Sequence, residues 1–441
     1  MQQKLTLDEI GCICLLMFFA MLGYVPILMP TAPVATAGQS TALHGINHLI
    51  LFAVWSAIFL FLLKVRFRLR LDILSAKAAL AYVAFAMLSV LWSSERSSTL
   101  SASVSLAIST VFAIYLVSKY PGERLIYLLS RVMMILAIAC AVFAVAVPKY
   151  GLDHLAHAGA WQGVLAQKNS LGLVMVFGTG ISLSLNPVTM LQKLWKFSVL
   201  FMCIAEVGLS QSREAWVVCA LVLLTHLIFM AYEKFAVNSR TVVLSIGAVA
   251  GVIAGATIAA LWVYLLKLMG RDATLTGRTI LWQAVLEQCR NHPWTGYGLA
   301  TFWGTGDAFP VYARTAWVPT SAHNGFLECL LELGGIGLFL LVFLVFLCFR
   351  NAVRIITSKS NFDSSKAWIY CVLAITCLNM VGNVTGIINS ISWMLLVCGA
   401  CVLEENARSL APAPAPAVSD ARLAEELRFA AEVRTQRILN T

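Results

Sequence analysis

The chain has 441 residues, of which 60% are hydrophobic and only 12% are charged. A soluble domain carries about 25% charged residues, so this composition excludes an ordinary soluble protein and indicates a polytopic membrane protein. The formal net charge of +10 does not indicate nucleic-acid binding, because the basic residues stand at the ends of apolar runs rather than in a basic, aromatic-rich module.

Apolar runs recur from one end of the chain to the other, although several are short for a transmembrane helix. Backbone groups in lipid have to be hydrogen-bonded internally, which favours helices. We therefore predict an all-α protein with about twelve transmembrane helices. They are expected at residues 10–29, 45–63, 76–92, 99–117, 125–147, 169–185, 194–209, 214–231, 241–266, 324–348, 367–384 and 387–403. The first run is too long for the apolar part of a signal peptide, so we expect it to be retained.

The distribution of Lys and Arg predicts the orientation of these helices. Five alternate loops, at 64–77, 118–124, 186–196, 232–240 and 349–366, hold 15 of the 31 basic residues. The short loops on the opposite side hold only four, namely Arg96, Lys149, Lys168 and Arg213. The positive-inside rule places these loops and both termini in the cytoplasm. The one long loop then faces the outside, which is the periplasm in a Gram-negative cell.

The apolar runs and the long loop divide the chain into four parts. Residues 1–266 hold helices 1–9, residues 267–322 form the outer loop, and residues 323–404 hold helices 10–12. Apolar side chains at 280–286 predict an amphipathic helix along the membrane surface. Residues 405–441 form a Pro/Ala linker and a cytoplasmic tail, helical or disordered, to which we assign no chemistry.

Cations on the outer side oppose the charge bias of the chain, so they invite a functional interpretation. Arg213 stands in a short connection at a helix start, where the helix N-terminus attracts anions and a guanidinium fork suits phosphate. Arg278 would begin the amphipathic helix of the loop, and Lys168 opens another helix on the same side. The alternatives are that Arg213 pairs with Glu214 or reaches lipid head groups, and that Arg278 is a solvated loop charge.

His323 and Asn324 stand at the start of the tenth predicted helix. An imidazole can accept a proton near neutral pH, and Asn324 could orient it or bind a sugar hydroxyl. The alternative is that the pair only caps the helix. We predict no metal and no cofactor, because the other histidines lack a third ligand, and the outer loops lack a paired-Asp motif. No nucleotide-binding loop is evident either.

These motifs, in this order, resemble the O-antigen ligase and polymerase superfamily. The matching segments are Lys168-Asn169, Ser212-Arg213, Gly277-Arg278 with Trp282, Pro293-Trp294-Thr295-Gly296-Tyr297-Gly298, and His323-Asn324 with Glu332-Leu333-Gly334. The resemblance implies a metal-independent transfer of a sugar chain from undecaprenyl diphosphate to a glycan acceptor, at the outer face of the bacterial inner membrane. The acceptor is lipid A–core in a ligase and the next lipid-linked repeat in a polymerase. Leu91-Trp92-Ser93 looks closer to the exopolysaccharide polymerases.

The resemblance also implies roles for individual residues. In that superfamily a loop histidine is the proposed base and outer-side arginines hold the diphosphate. These roles carry over to His323, Arg213 and Arg278, with Lys168 as a further donor-site residue and Asn324 as an orienting or acceptor-binding residue. The implied partners are the lipid-linked donor, the glycan acceptor, membrane lipids and, in the cell, other polysaccharide-assembly proteins.

A transporter or flippase of lipid-linked glycans is the alternative class of function. A transporter should place ionisable groups near the bilayer midplane and often contains inverted repeats. Arg131, Glu206 and His226 are the candidates for such groups, but the sequence shows no matching halves. The long amphipathic loop favours an enzyme.

Overall fold

The computed structural model describes residues 6–20, 72–120, 122–154, 157–165, 167–236, 239–243, 245–247, 277–315, 317–358, 362–382 and 390–410. Within these ranges the protein is helical, without strands, and one isolated bridge joins Leu152 and Trp161. The all-α prediction is confirmed for this part of the chain. The predicted helix at 45–63, most of that at 241–266, the first ten residues of the loop and the tail after 410 lie outside the described residues.

Eleven helices of twelve or more residues occur in the described ranges. They are α1 (Leu7–Ala20), α2 (Leu74–Leu88), α3 (Arg96–Lys119), α4 (Gly122–Ala146), α5 (Lys168–Leu183), α6 (Met190–Leu209), α7 (Arg213–Tyr232), α8 (Arg278–Cys289), α9 (Gly325–Ser358), α10 (Asp363–Val381) and α11 (Ile391–Arg408). Five helical stretches among these residues are long and apolar enough to cross a membrane, namely Leu74–Leu91, α3, α4, α7 and α9. They support a membrane protein, while the count of twelve spans stays a prediction.

Helices α5 and α11 form the interior of the bundle. Every described side chain from Ser170 to Leu185 and from Ile391 to Glu404 is buried. The interior position of α5 depends on small residues, because a Cβ added at Gly172 would lie 2.6 Å from the Cβ of Ala215. This close approach brings the start of α5 against the connection between α6 and α7, which carries Arg213.

Helix α8 is present at the predicted place in the long loop. Its apolar face is formed by Leu281, Ala284 and Val285, at the spacing of one side of a helix, and all three are buried. They pack with loop residues such as Phe302 and with Leu331 of α9. The apolar face therefore lies in a small core of the loop itself, whereas the sequence pattern alone suggests that it faces the membrane surface.

Helix α9 is interrupted at Gly334, where φ is 63° and ψ is −166°. The apolar pattern continues through this position, so the sequence predicts an unbroken helix. At the break the backbone N–H groups of Gly335 and Ile336 lose their usual helical partners, the carbonyls of Leu331 and Glu332. Backbone groups left without partners inside a membrane protein are costly, so the break requires replacement hydrogen bonds.

The loop segment 293–298 supplies all four replacement hydrogen bonds. Its carbonyls accept from the two freed N–H groups, and its N–H groups donate to the two freed carbonyls. The bonds are Gly335 N to Pro293 O at 2.8 Å, Ile336 N to Trp294 O at 3.2 Å, Tyr297 N to Leu331 O at 3.1 Å and Gly298 N to Glu332 O at 2.8 Å. The loop is therefore built into the break in α9, the helix whose start follows His323.

We expect Gly334→Ala to destabilise the protein by at least about 2 kcal/mol, which a thermal-unfolding midpoint of the detergent-purified protein would measure. A left-handed backbone costs a non-glycine residue roughly 1–2 kcal/mol, and a Cβ at Gly334 would collide with the backbone of Trp294. Gly304→Ala is the matched control, because a Cβ there meets no atom within 4 Å. Equal midpoints for the two variants would show that the break tolerates a side chain.

Candidate active site

The starts of three helices come together with His323, two residues before a fourth helix, around a cluster of basic side chains. Lys168 Nζ donates to the carbonyl of Gln211, at 3.2 Å, and so links the start of α5 to the start of α7. Arg278 Nη2 lies 2.5 Å from Glu214 Oε1, which links the start of α8 to the same place. The charges of Arg278 and Glu214 both act on His323. The structure thus brings together all four predicted donor-site and catalytic residues.

Arg278 and Arg213 differ in how they are held. Arg278 is partly buried, and its ion pair with Glu214 joins residues 64 positions apart in the sequence. Arg213 is exposed and, among the described residues, has neither an ion-pair nor a hydrogen-bond partner. The alternative that Arg213 pairs with its neighbour Glu214 is therefore wrong in this structure. One guanidinium is oriented by a carboxylate and the other is available to a ligand.

The Lys168 ammonium stabilises the tight connection before α7. Gln211 has a φ of 52°, in the left-handed region, and its carbonyl accepts from Lys168. The Ser210 hydroxyl accepts from the backbone N–H of Ser212, at 3.2 Å, and fixes the same turn. Lys168 therefore has a structural contact beside Arg213, and its other two N–H groups can still reach an anion.

His323 has a φ of 49°, which is uncommon for a residue other than glycine. Its side chain is half-buried and its ring lies 5.3 Å from that of Trp317, at an interplanar angle of 52°. Trp317 is 39% exposed, so one side of this ring pair faces solvent. The imidazole thus lies near the surface of the loop, close enough to the basic cluster to interact with the charge of Arg278.

The surroundings of His323 favour the neutral imidazole. Burial lowers the pKa of His323 below its ordinary value of 6.5, because a charged ring loses solvation. The nearby Arg278 lowers the pKa further, since it disfavours a second cation, and Glu214 opposes this effect. A neutral imidazole at neutral pH has the protonation state that a general base requires.

Asn324 caps α9. Its Oδ1 accepts from the backbone N–H groups of Phe326 and Leu327, at 3.1 and 3.0 Å, and its Nδ2 donates to the carbonyl of Met380, at 3.1 Å. The amide is engaged at both ends and ties the start of α9 to the end of α10. The structure therefore shows the helix-capping alternative for Asn324, and the roles of orienting His323 or binding an acceptor stay predictions.

Several contacts of the site could not be predicted from the sequence. The pair of Glu214 with Arg278 depends on the approach of α7 and α8, and the contact of Trp317 with His323 depends on the path of the loop. Glu328 hydrogen-bonds the residue before His323 from inside α9. For Glu328 the sequence does give an indication, because a glutamate inside an apolar helix is unusual.

The fold and the site together define a helical membrane protein with a basic, histidine-containing centre at one end of its bundle. Residues 197–342 match the sequence profile of the family described as O-antigen ligase. The chain is also 27% identical, over 297 residues, to the exopolysaccharide production protein ExoQ of Rhizobium meliloti (strain 1021). The alignment spans 64% of this chain and 66% of that protein. These matches confirm the resemblance to the O-antigen ligase and polymerase superfamily.

Proposed function

We propose that this protein transfers a glycan from undecaprenyl diphosphate to a glycan acceptor at the outer face of the inner membrane, without a metal ion. The observation that carries this proposal is that His323 lies close enough to Arg278 for their charges to interact. Arg213 and Lys168 belong to the same cluster. A diphosphate is multiply charged, and helix N-termini with arginine forks complement such a group. A neutral histidine beside them is suited to remove a proton from a sugar hydroxyl.

In the proposed reaction, the acceptor hydroxyl oxygen bonds to the anomeric carbon of the donor sugar. The bond from that carbon to the diphosphate oxygen breaks, and undecaprenyl diphosphate leaves with the electron pair. His323 takes the hydroxyl proton, while Arg213 and Arg278 stabilise the charge that develops on the leaving group. The enzyme also has to hold the hydroxyl in line with the breaking bond. No nucleotide is needed, because the diphosphate donor is already activated.

The two arginines have different parts in this proposal. Arg278 is oriented by Glu214, so its guanidinium is held in place before the donor arrives. Arg213 is exposed and can close on the diphosphate from the neighbouring helix start. Lys168 holds the turn before α7 and adds a third positive charge, and Asn324 keeps His323 and the start of α9 in position.

Of the two versions of this function we propose the polymerase, because Leu91-Trp92-Ser93 resembles the exopolysaccharide polymerases and the aligned protein of Rhizobium meliloti is described as an exopolysaccharide production protein. The family profile is described as O-antigen ligase, so the ligase is the second candidate. The test uses purified protein in vesicles with a single lipid-linked repeat. We expect a ladder of longer lipid-linked products, formed equally well with EDTA present. Product formed only when lipid A–core is added would instead identify a ligase, and no product with either acceptor would contradict the glycosyl transfer.

The proposal places the loop at 267–322 outside the inner membrane. We expect an impermeant thiol reagent to label Thr305→Cys in cells whose outer membrane alone has been opened. Ser358→Cys, at the end of α9, is the matched control and should react only after the inner membrane is opened. Labelling is read against the parent protein, which has cysteines of its own. The reverse pattern of labelling would overturn the assigned orientation.

The transporter alternative gains no support from the sequence relatives, which are described as a ligase family and a polysaccharide production protein. Arg131, Glu206 and His226, the candidate ionisable groups of a transporter, also lie in separate surroundings. His226 shares a hydrogen bond with the hydroxyl of Tyr370, at 2.9 Å, whereas the buried carboxyl of Glu206 has no partner among the described residues. Arg131 lines a cleft with Glu9 and Arg124. No described contact joins them into an ion pathway.

A further inference from the structure

We propose that Glu328 is a positioning residue for His323: its buried carboxylate fixes the backbone that presents the imidazole to the acceptor. This inference rests on the proposed role of His323 as the base. Glu328 lies in the first turn of α9, only 2% exposed, and does not line the exposed side of the site. Its effect on the reaction therefore has to pass through another residue.

The residue before His323 is held at both of its backbone polar groups, which belong to the two consecutive peptide units around its Cα. The backbone N–H of Ala322 donates to Glu328 Oε2, at 2.5 Å, and the carbonyl of Ala322 accepts from the indole N–H of Trp282, at 2.9 Å. Ala322 itself is fully buried. The next N–H, that of His323, donates to the hydroxyl of Ser321, at 3.3 Å. These bonds fix the chain at the point where it enters the left-handed conformation of His323.

The second oxygen of the Glu328 carboxylate is also used. Oε1 accepts from the indole N–H of Trp303, at 2.6 Å, so each carboxylate oxygen faces one N–H donor. Within the described residues Glu328 has no ion-pair partner. A buried carboxylate without a cation is costly, and an apolar side chain would fill the space without that cost. The carboxylate offers what an apolar side chain lacks, namely acceptors for two separate loop segments.

The left-handed conformation of His323 explains why such anchoring is needed. Non-glycine residues with positive φ persist only where their surroundings hold them there, and they concentrate at functional sites. Without the bond to Ala322, the chain can relax toward negative φ. The imidazole would then turn away from Trp317 and from the basic cluster. The expected consequence is a lower rate of proton transfer with unchanged donor binding, because the arginines stay in place.

The test is Glu328→Gln in purified protein, with kcat and KM measured for a lipid-linked donor. A glutamine has one acceptor oxygen and cannot satisfy both donors. We expect kcat to fall by about 10- to 100-fold with KM nearly unchanged, and the thermal midpoint to fall as well, because a buried N–H is left without an acceptor. Glu328→Asp should do no better, because the shorter side chain keeps the carboxyl group but not the reach. Glu206→Gln is the matched control, a buried glutamate that lacks a hydrogen-bond partner in the described part of the chain.

A double-mutant cycle with His323→Gln separates positioning from general stability. If Glu328 acts through His323, Glu328→Gln should cause no further loss in the His323→Gln background. An equal loss in both backgrounds, or a wild-type kcat for Glu328→Gln, would overturn the inference. If Glu328→Gln does not fold, Trp282→Phe removes the bond to the other backbone group of Ala322, its carbonyl, and must show the same kcat-specific loss. Wild-type turnover by His323→Gln would instead refute the proposed function.

Discussion

His323→Gln is expected to lower the turnover of the purified protein by about 10²–10⁴-fold, the usual contribution of a general base. Glutamine keeps hydrogen bonding but cannot accept the proton of the acceptor hydroxyl. The lipid-linked donor should still bind with near-normal affinity, because Arg213 and Arg278 remain. Single-turnover transfer from a radiolabelled donor measures the chemical step, and a separate binding assay measures donor affinity. His292→Gln is the matched control, an exposed histidine of the same loop.

The pH profile gives this prediction a second readout. The rate should follow the fraction of neutral His323, so it falls as the pH drops through the pKa of the imidazole. Burial and the charge of Arg278 both lower that pKa, and the acid limb should therefore lie below 6.5. The limb should disappear in His323→Gln. Wild-type transfer by His323→Gln, with an unchanged acid limb, would leave His323 a structural residue and place the base elsewhere.

The helices could largely be predicted from the sequence, because apolar runs in a membrane protein have few alternatives to a helix. The predicted span at 99–117 corresponds to Arg96–Lys119, and the predicted span at 214–231 to Arg213–Tyr232. The break at Gly334 could not be predicted. Its cause is the loop segment 293–298, which takes over the hydrogen bonds of the broken helix through contacts that span 34 to 42 positions of the chain.

The site was predictable as a set of residues but not as an arrangement. Lys168, Arg213 and His323 interrupt or border apolar runs, and this contrast makes them visible in the sequence. Their contacts arise from tertiary packing, and no local spacing encodes them. The capping of α9 by Asn324 is one of the two alternatives that the sequence offers, because Asn before a helix commonly accepts from the second or third N–H group.

Arg213→Ala and Arg278→Ala are each expected to lower kcat/KM for the lipid-linked donor by about 10²–10³-fold, as loss of a donor to a developing anion typically does. Arg→Lys should restore only part of the activity, since a point charge cannot replace a bidentate fork. Arg290→Ala is the matched control, an exposed arginine of the same loop. Near-normal product from both Ala variants, at normal expression, would rule out the proposed diphosphate clamp.

The ion pair with Glu214 separates a structural from a functional loss at Arg278. Arg278→Ala leaves a partly buried carboxylate without this cation, so part of its effect could be lost stability. In Arg278→Ala/Glu214→Gln that carboxylate is gone, and the thermal midpoint should recover while kcat/KM stays low. Arg213→Ala should leave the thermal-unfolding midpoint unchanged, because Arg213 has no ion pair among the described residues. Recovery of transfer in the double variant would mean that Arg278 serves only to neutralise Glu214.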